Sequence, residues 1–273
     1  MGVQRGGSYL HGTDPEEQAR LSSLNDLLNR AALRELGLRG GEKIVDFGAG
    51  LGQLTRDMAR AAGAPVVGIE RSPQQIAEAR RQAKDAGEES LLLLRQGDVQ
   101  EGVARSEEGT YDLAHARFVL EHVPDPLVVV RSMMRAVRPG GRVVLQDDDH
   151  DILRLWPEPL GVRALWAAYM RAFDRVGNDP YVGRRLVELL HAAGARPTRS
   201  NFLFFGACAG EKAFAQLVDN MASLVLGARE AIVGDGLLPT SVFDSSLAEL
   251  RRFRDRPDGA FWYAVSWAEG TKP

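Results

Sequence analysis

The chain is short of several things, and each shortage narrows what it can be. Its 273 residues include one cysteine, Cys208, which excludes an internal disulfide framework and a cysteine-rich zinc site and suits a reducing compartment. Cys208 itself reads as a small buried hydrophobe beside Phe204 and Phe205 rather than as a nucleophile. There is no surplus of positive charge. Against 34 Lys and Arg stand 37 Asp and Glu, a net charge of −3, so no global field draws nucleic acid or an anionic membrane. Long apolar runs are missing too: Leu91 to Leu94 and Leu127 to Val130 fall far below the roughly 20 residues a membrane helix needs. The N-terminal stretch lacks the apolar core of a signal peptide, and Gly6 stands where a myristoylation signal wants Ser or Thr. The expectation is a soluble, cytoplasmic protein.

What is present is a regular alternation. Asp14, Pro15 and Glu17 read as a helix start whose apolar stripe runs through Leu21, Leu24, Leu28, Ala31 and Ala32 to an end near Leu36-Gly37. Ile44-Val45 follows as a strand, Gln53 to Ala62 as a helix and Val66 to Ile69 as a second strand. A capped helix runs from Ser72-Pro73 to Ala86, and Leu91 to Leu94 is a third strand. Tyr111 to Ala116 reads as a fourth strand, Pro126 to Val137 as a helix, and Val143 to Gln146 as a fifth strand after the turn Arg138-Pro139-Gly140-Gly141. Short aliphatic strands separated by helices imply an α/β fold, a doubly wound and mostly parallel sheet, because parallel neighbours need crossover connections.

From Trp156 the pattern changes. Leu160 to Val176 carries the apolar spacing of a long amphipathic helix where a compact sheet needs only a connector. Arg185 to Ala193 reads as the next covering helix and Asn201 to Phe205 as a strand. Helical segments follow at about Glu211 to Val233 and Thr240 to Phe253, and Phe261, Tyr263, Val265 and Trp267 alternate as the inward face of a final strand. The expected organisation is one domain over 1–273. It has an N-terminal helical lid at 1–40, a ligand-binding half at 41–150, and helical insertions at 151–181 and 207–258 forming a substrate cap.

The most informative stretch is Asp46 to Gln53, which places Gly48, Gly50 and Gly52 between the first strand and the helix after it. A glycine turn there presents bare backbone and a helix N-terminus to a ligand at the carboxyl ends of the strands. It departs from the dinucleotide fingerprint G-x-G-x-x-G, because Gln53 stands where the last glycine belongs. Asp46 is an awkward neighbour for a pyrophosphate and a welcome one for an ammonium or sulfonium.

These residues resemble class I S-adenosylmethionine-dependent methyltransferases, in particular the bacterial small-molecule enzymes, and the resemblance runs from about Lys43 to Leu145 with five motifs in order. It implies a Rossmann-like sheet of about seven strands, the last antiparallel, and S-adenosylmethionine as cofactor. It makes Asp46, Gly48, Ala49, Gly50, Gly52 and Gln53 the turn that approaches the methionine portion. Glu70, with Arg71 beside it, matches the acidic residue that accepts from both ribose hydroxyls. Asp98 and Val99 match the segment that holds the adenine edge, Arg117 and Phe118 line the methionine moiety, and Arg138 to Gly141 is the turn before strand five. In the N-terminal segment, Tyr9 matches a tyrosine that closes over the cofactor.

Methyl transfer from a sulfonium is an in-line displacement that needs alignment, exclusion of water and an acceptor lone pair. A hydroxyl or activated-carbon acceptor also needs a base. His122 is the first candidate, against the alternative of a histidine that bonds the local backbone. Asp148 and His150, in the run Asp147 to Asp151, are the others. That run has the ligand types of a hard-metal site, but the metal-dependent catechol-type relatives carry an Asp after strand four where this chain offers Arg117, so no metal is expected.

Trp156, Trp166, Tyr169, Met170 and Phe173 suit the wall of a partly apolar or aromatic acceptor pocket, or plain packing of the inserted helix. The signature of enzymes that methylate base amines and planar amides is absent after strand four, and nucleic acid is not an expected partner. A small-molecule methyltransferase of secondary or quinone-type metabolism is the leading reading. Its alternatives are a macromolecule-modifying methyltransferase, a dehydrogenase, and a methyltransferase fold turned to cyclisation or rearrangement. The inserted helices serve equally well as the surface of a homodimer.

Overall fold

A computed structural model describes residues 28–273. The helix starting at Asp14 and the residue Tyr9 lie outside the described residues, apart from that helix's last turns. These form α1, residues 28–36. Then come β1 (Ile44–Phe47), α2 (Gln53–Ala62), β2 (Val66–Glu70), α3 (Pro73–Asp85), β3 (Leu92–Gln96), β4 (Tyr111–Arg117), α4 (Pro126–Ala136) and β5 (Val137–Asp148). β6 (Arg154–Trp156), α5 (Val162–Arg175), α6 (Leu186–Ala192), β7 (Arg196–Cys208), α7 (Lys212–Gly227), α8 (Thr240–Phe253) and β8 (Ala260–Thr271) complete the order. The local signals explain the boundaries. Ser72 accepts from the Gln75 N–H and Asp125 from the Leu127 and Val128 N–H groups, each just before a proline at the first helical position, where the missing donor costs nothing.

Eight strands form the sheet, in the order β3-β2-β1-β4-β5-β8-β6, with β7 also paired to β8. β1 through β5 pair in parallel, while β8 runs antiparallel to β5 and to β6. The sequence reading of about seven strands missed β6, a three-residue strand with no periodicity to read. β5 also begins earlier than expected, at Val137 rather than Val143, and its register against β4 shifts between Tyr111 and Leu113. From Tyr263 to Ala268 every residue of β8 is buried, so the alternation inferred there gives way to a strand covered on both faces.

The described residues divide into two compact units, and β7 and β8 each run from one into the other. One unit comprises 28–148, 181–203 and 265–273. Its core gathers Phe47, Tyr111, Met133, Leu145 and Leu190 from β1, β4, α4, β5 and α6. The other comprises 149–180 and 204–264, where Trp166, Phe214, Phe243, Leu250 and Phe253 pack α5, α7 and α8 together. Each such side chain, once buried, contributes about 1.5–3 kcal/mol. Cys208 is exposed, which corrects its reading as a buried hydrophobe. Phe204 beside it is exposed as well, so apolar neighbours in sequence did not imply a core position. No helix among the described residues is long and apolar enough to cross a membrane.

Close backbone packing governs the edge of the first unit. A Cβ on Gly183 would lie 2.7 Å from the Asp148 carbonyl carbon and oxygen and 2.8 Å from the Asp147 oxygen, and backbone cannot yield as a flexible side chain can. Gly183→Ala is expected to lower stability by about 1–3 kcal/mol, read as a drop in the urea unfolding midpoint. Gly210→Ala, where the new Cβ meets nothing within 4 Å, should change it by less than about 0.5 kcal/mol.

Candidate active site

In the order β3-β2-β1-β4-β5, the direction of winding reverses between β1 and β4. The two strands pair in register as far as Phe47 and Ala116. Beyond that pair their chains part, into the glycine turn from β1 and into Arg117 and Phe118 from β4. A crevice at the carboxyl ends of strands at such a reversal is where open α/β sheets bind ligands.

Asp46 is buried, and both its oxygens are held. Oδ2 accepts from the Thr55 hydroxyl at 2.6 Å, and Oδ1 lies 2.8 Å from His115 Nδ1. The other ring nitrogen of His115 is 2.6 Å from Gln146 Nε2. Since the Gln146 amide nitrogen only donates, His115 Nε2 accepts, and Nδ1 therefore carries the hydrogen given to Asp46. Three adjacent strands thus share a buried polar row. His115, Gln146 and Thr55 were missed in the sequence; His115 alone carried a signal, a polar residue inside an otherwise apolar strand, while Gln146 borders the acidic run that ends β5 and Thr55 lies on α2.

Glu70, expected as the ribose acceptor, is also nearly buried. Its Oε2 accepts from the Gly50 N–H at 3.0 Å and its Oε1 from the Ser72 N–H at 2.8 Å. The carboxylate is thereby oriented with one lone pair spent on each oxygen, which leaves an acceptor position on each for a pair of hydroxyls. The glycine turn has two causes. A Cβ on Gly48, at φ +76°, would lie 2.4 Å from Val119 Cγ2, so the fold's own packing demands glycine there. At Gly50, φ +55°, the nearest atom is Gln75 Oε1 at 3.5 Å, and the open backbone remains for a ligand. Phe118 adopts φ +54°, a strained left-handed conformation for a residue with a side chain, of the kind that clusters at binding sites.

Arg117 stands over the Phe118 ring, its guanidinium carbon 5.6 Å from the centroid. Nη2 donates to Asn29 Oδ1 at 2.8 Å, while Nη1 is shut off from solvent with no partner among the described residues. Burial pushes its pKa down to about 10, against the attraction of Asp46 and Asp57. Asp98 turns its Oδ1 to the Gln100 N–H at 2.8 Å, and Val99 packs on the core of this unit. Arg71 is exposed, and its carbonyl accepts from Gln96 Nε2 at 3.4 Å. Gln53 opens α2. Glu70 and Gly50 are thus bonded to each other, and Arg117 lies within the field of Asp46 and over the Phe118 ring, whereas Asp98 bonds within its own loop and Arg71 meets Gln96 of β3.

Of the three candidate bases, His122 lies on the single turn Leu120–His122, partly exposed, with Nε2 3.4 Å from Glu121 Oε1. Asp148 ends β5, partly buried. His150 belongs to the other unit. There it is buried against Trp166, Tyr169 and Phe173 at ring distances of 5.4–6.0 Å, and Nδ1 lies 3.2 Å from the Tyr263 hydroxyl. The Trp166 indole N–H bonds its carbonyl at 2.7 Å.

Asp147, named in the sequence only as the first of the run Asp147 to Asp151, organises the turn that carries His122. Its Oδ2 accepts from the Val119 and Leu120 N–H groups at 3.1 and 2.8 Å, and its Oδ1 from the Asp148 N–H. Burial, with the Glu121 and Asp148 carboxylates close by, pushes its pKa well above the usual carboxylate range.

Comparison with known proteins gives the family and the fold. Residues 16–199 match a family model described as a methyltransferase domain, and the chain belongs to that family. It is 37% identical over 123 residues to a ubiquinone biosynthesis O-methyltransferase of Sodalis glossinidius, covering 45% of this chain and 48% of that protein. It is 31% identical over 159 residues to a 27-O-demethylrifamycin SV methyltransferase of Amycolatopsis mediterranei, covering 58% and 56%. The chain spans about half the length of these relatives. A crystal structure of a putative methyltransferase from Bacillus halodurans shares the fold with a TM-score of 0.58 at 17% identity, over 92% of this chain and 99% of the other.

The raised pKa of Asp147 has a pH consequence. The folded protein holds this proton at pH values where the unfolded chain has released it. The stabilisation is therefore complete below the ordinary Asp value of about 4 and declines as pH rises toward the folded value. Asp147→Asn keeps the shape without the charge. Between about pH 5 and pH 8 its urea midpoint should fall less steeply than that of the wild type.

Proposed function

We propose that this chain is an S-adenosylmethionine-dependent methyltransferase acting on a small-molecule acceptor, with a hydroxyl as the favoured acceptor group. The observation that carries the reading is the convergence of a fixed Asp46, an open Gly50 and a two-handed Glu70 where β1 and β4 part. A ligand with a cationic amino-acid end and a ribose diol fits those groups; a dinucleotide pyrophosphate would meet the Asp46 carboxylate instead. Family membership supports the reaction class, and relatives named a ubiquinone biosynthesis O-methyltransferase and a 27-O-demethylrifamycin SV methyltransferase support the hydroxyl.

When bound, the cofactor supplies an electrophilic methyl group on a sulfonium. The chain's own residues do the rest. Glu70 accepts from the sugar hydroxyls with the lone pairs that Gly50 and Ser72 leave open, the Asp46 side favours the cationic end, and Asp98 and Val99 hold the base. Water exclusion falls to the apolar side chains around the turn, Val119 and Phe118 among them. A hydroxyl acceptor must lose its proton as the new bond forms. His122, whose partner Glu121 stabilises the imidazolium that results, is our assigned base, with His150 and Asp148 as further candidates. The aromatic residues of α5 are assigned to the acceptor, the chain to the cytoplasm, and nucleic acid is not among its partners in this reading.

Calorimetric titration tests this directly. S-adenosylmethionine and S-adenosylhomocysteine should both bind, NAD should not, and Glu70→Gln should weaken both nucleosides by about 10- to 100-fold, since an amide cannot accept at both positions. Binding of NAD alone would replace the methyltransferase reading with a dehydrogenase one.

A further inference from the structure

Three buried polar atoms without a partner among the described residues lie side by side on the sheet: Gln146 Oε1 on β5, Trp267 Nε1 on β8 and Arg117 Nη1 on β4. Gln146 is the register partner of Arg117 on one side and of Trp267 on the other, so the three side chains leave one face of the sheet as cross-strand neighbours. Gln146 and Trp267 are each only 1% exposed. Arg199 lies over the indole, its guanidinium carbon 5.6 Å from the ring centroid. A buried indole N–H or amide oxygen is costly when left unmade. Yet these two neighbours do not bond each other.

The direction of the Gln146 amide is settled on its far side. Nε2 donates to His115 Nε2 at 2.6 Å, and His115 donates from Nδ1 to Asp46 at 2.8 Å. Turning the amide over would set its oxygen against the His115 lone pair, so Oε1 is the atom left for the rung. Whatever donates to Oε1 extends a run of donors that all point toward the buried Asp46 carboxylate, and each bond in such a run polarises the next.

The rung selects a ligand by hydrogen-bond type. A carboxylate or phosphate would set lone pairs against Gln146 Oε1, an ammonium or sulfonium would face the Arg117 guanidinium, and a ketone or ether has no hydrogen to give. An oxygen that both accepts and donates meets every demand: it takes the N–H groups of Trp267 and Arg117 and gives its own hydrogen to Gln146. Three polar partners are the usual complement of a buried oxygen. We propose that the Arg117–Gln146–Trp267 rung is a binding site for the hydroxyl group of an alcohol or a phenol, with water as the same oxygen when no such ligand is bound. The site is independent of the methyltransferase reading, since no part of the cofactor is called on.

The indole proton resonances of the full chain provide the test. Among four tryptophans, the Trp267 Nε1–H signal is identified by its loss in Trp267→Phe, or by elimination in Trp156→Phe, Trp166→Phe and Trp262→Phe. In the protein alone it should show cross-relaxation with a long-lived water. Benzyl alcohol should shift it saturably and remove the water contact, whereas benzyl methyl ether, which lacks the donor, should change neither. Gln146→Met should weaken benzyl alcohol by about 5- to 10-fold; an unchanged affinity in the folded variant overturns the role of Oε1. If that variant does not fold, alcohol and ether compared on the wild type decide. A water contact that survives saturating alcohol assigns the oxygen to water only and overturns the ligand site. Equal responses to alcohol and ether, or neither water nor alcohol at the Trp267 signal, overturn the hydroxyl assignment as a whole.

Discussion

The buried Asp46 carboxylate is the constraint around which the site is arranged. A negative charge between strands is costly unless its lone pairs are met, and here Thr55 from α2 and His115 from β4 meet them. That solution ties three elements to one point and fixes which nitrogen of His115 bears hydrogen. It also brings Gln146 of β5 into the row. The glycine turn leaves β1 directly after Asp46, so whatever orients the carboxylate also aims the turn.

A second carboxylate performs the corresponding task on the far side of β4. Asp147 draws the backbone N–H groups of Val119 and Leu120 onto its oxygen, which sets Val119 against Gly48 and places the single turn with Glu121 and His122. Because burial and the neighbouring Glu121 and Asp148 favour its protonated form, this anchor is held differently from Asp46, whose partners are a hydroxyl and an imidazole. Two acids of the same type, one strand apart in the sheet, thus serve unlike purposes through what surrounds them.

Much of the segment from β1 to β5 was legible in the sequence because its signals are local. Helix α2 was placed to the residue after the glycine turn, and the start of α3 by Ser72 and Pro73. Glu70 was recognisable as an acid closing a strand, and its grip on the Gly50 N–H gives that placement a physical basis. Less legible were features without periodicity or with mixed exposure. β6 is too short to show a pattern, β8 is buried on both faces beyond Tyr263, and Cys208 sits among apolar residues that turn out exposed.

The sequence by itself determined the alternation of strands and helices, the position of the glycine turn, the helix caps and the presence of acids at strand ends. Each of these is set within a few residues by backbone conformation and local hydrogen bonding. Only the tertiary structure decided that His115 belongs to Asp46, that Asp147 holds the turn after β4, and that Asn29 reaches Arg117 from 88 positions away. Such pairings join groups that have no local reason to meet. They arise because strand order and register bring buried polar atoms together, and the cost of leaving them unpaired selects the partners they find.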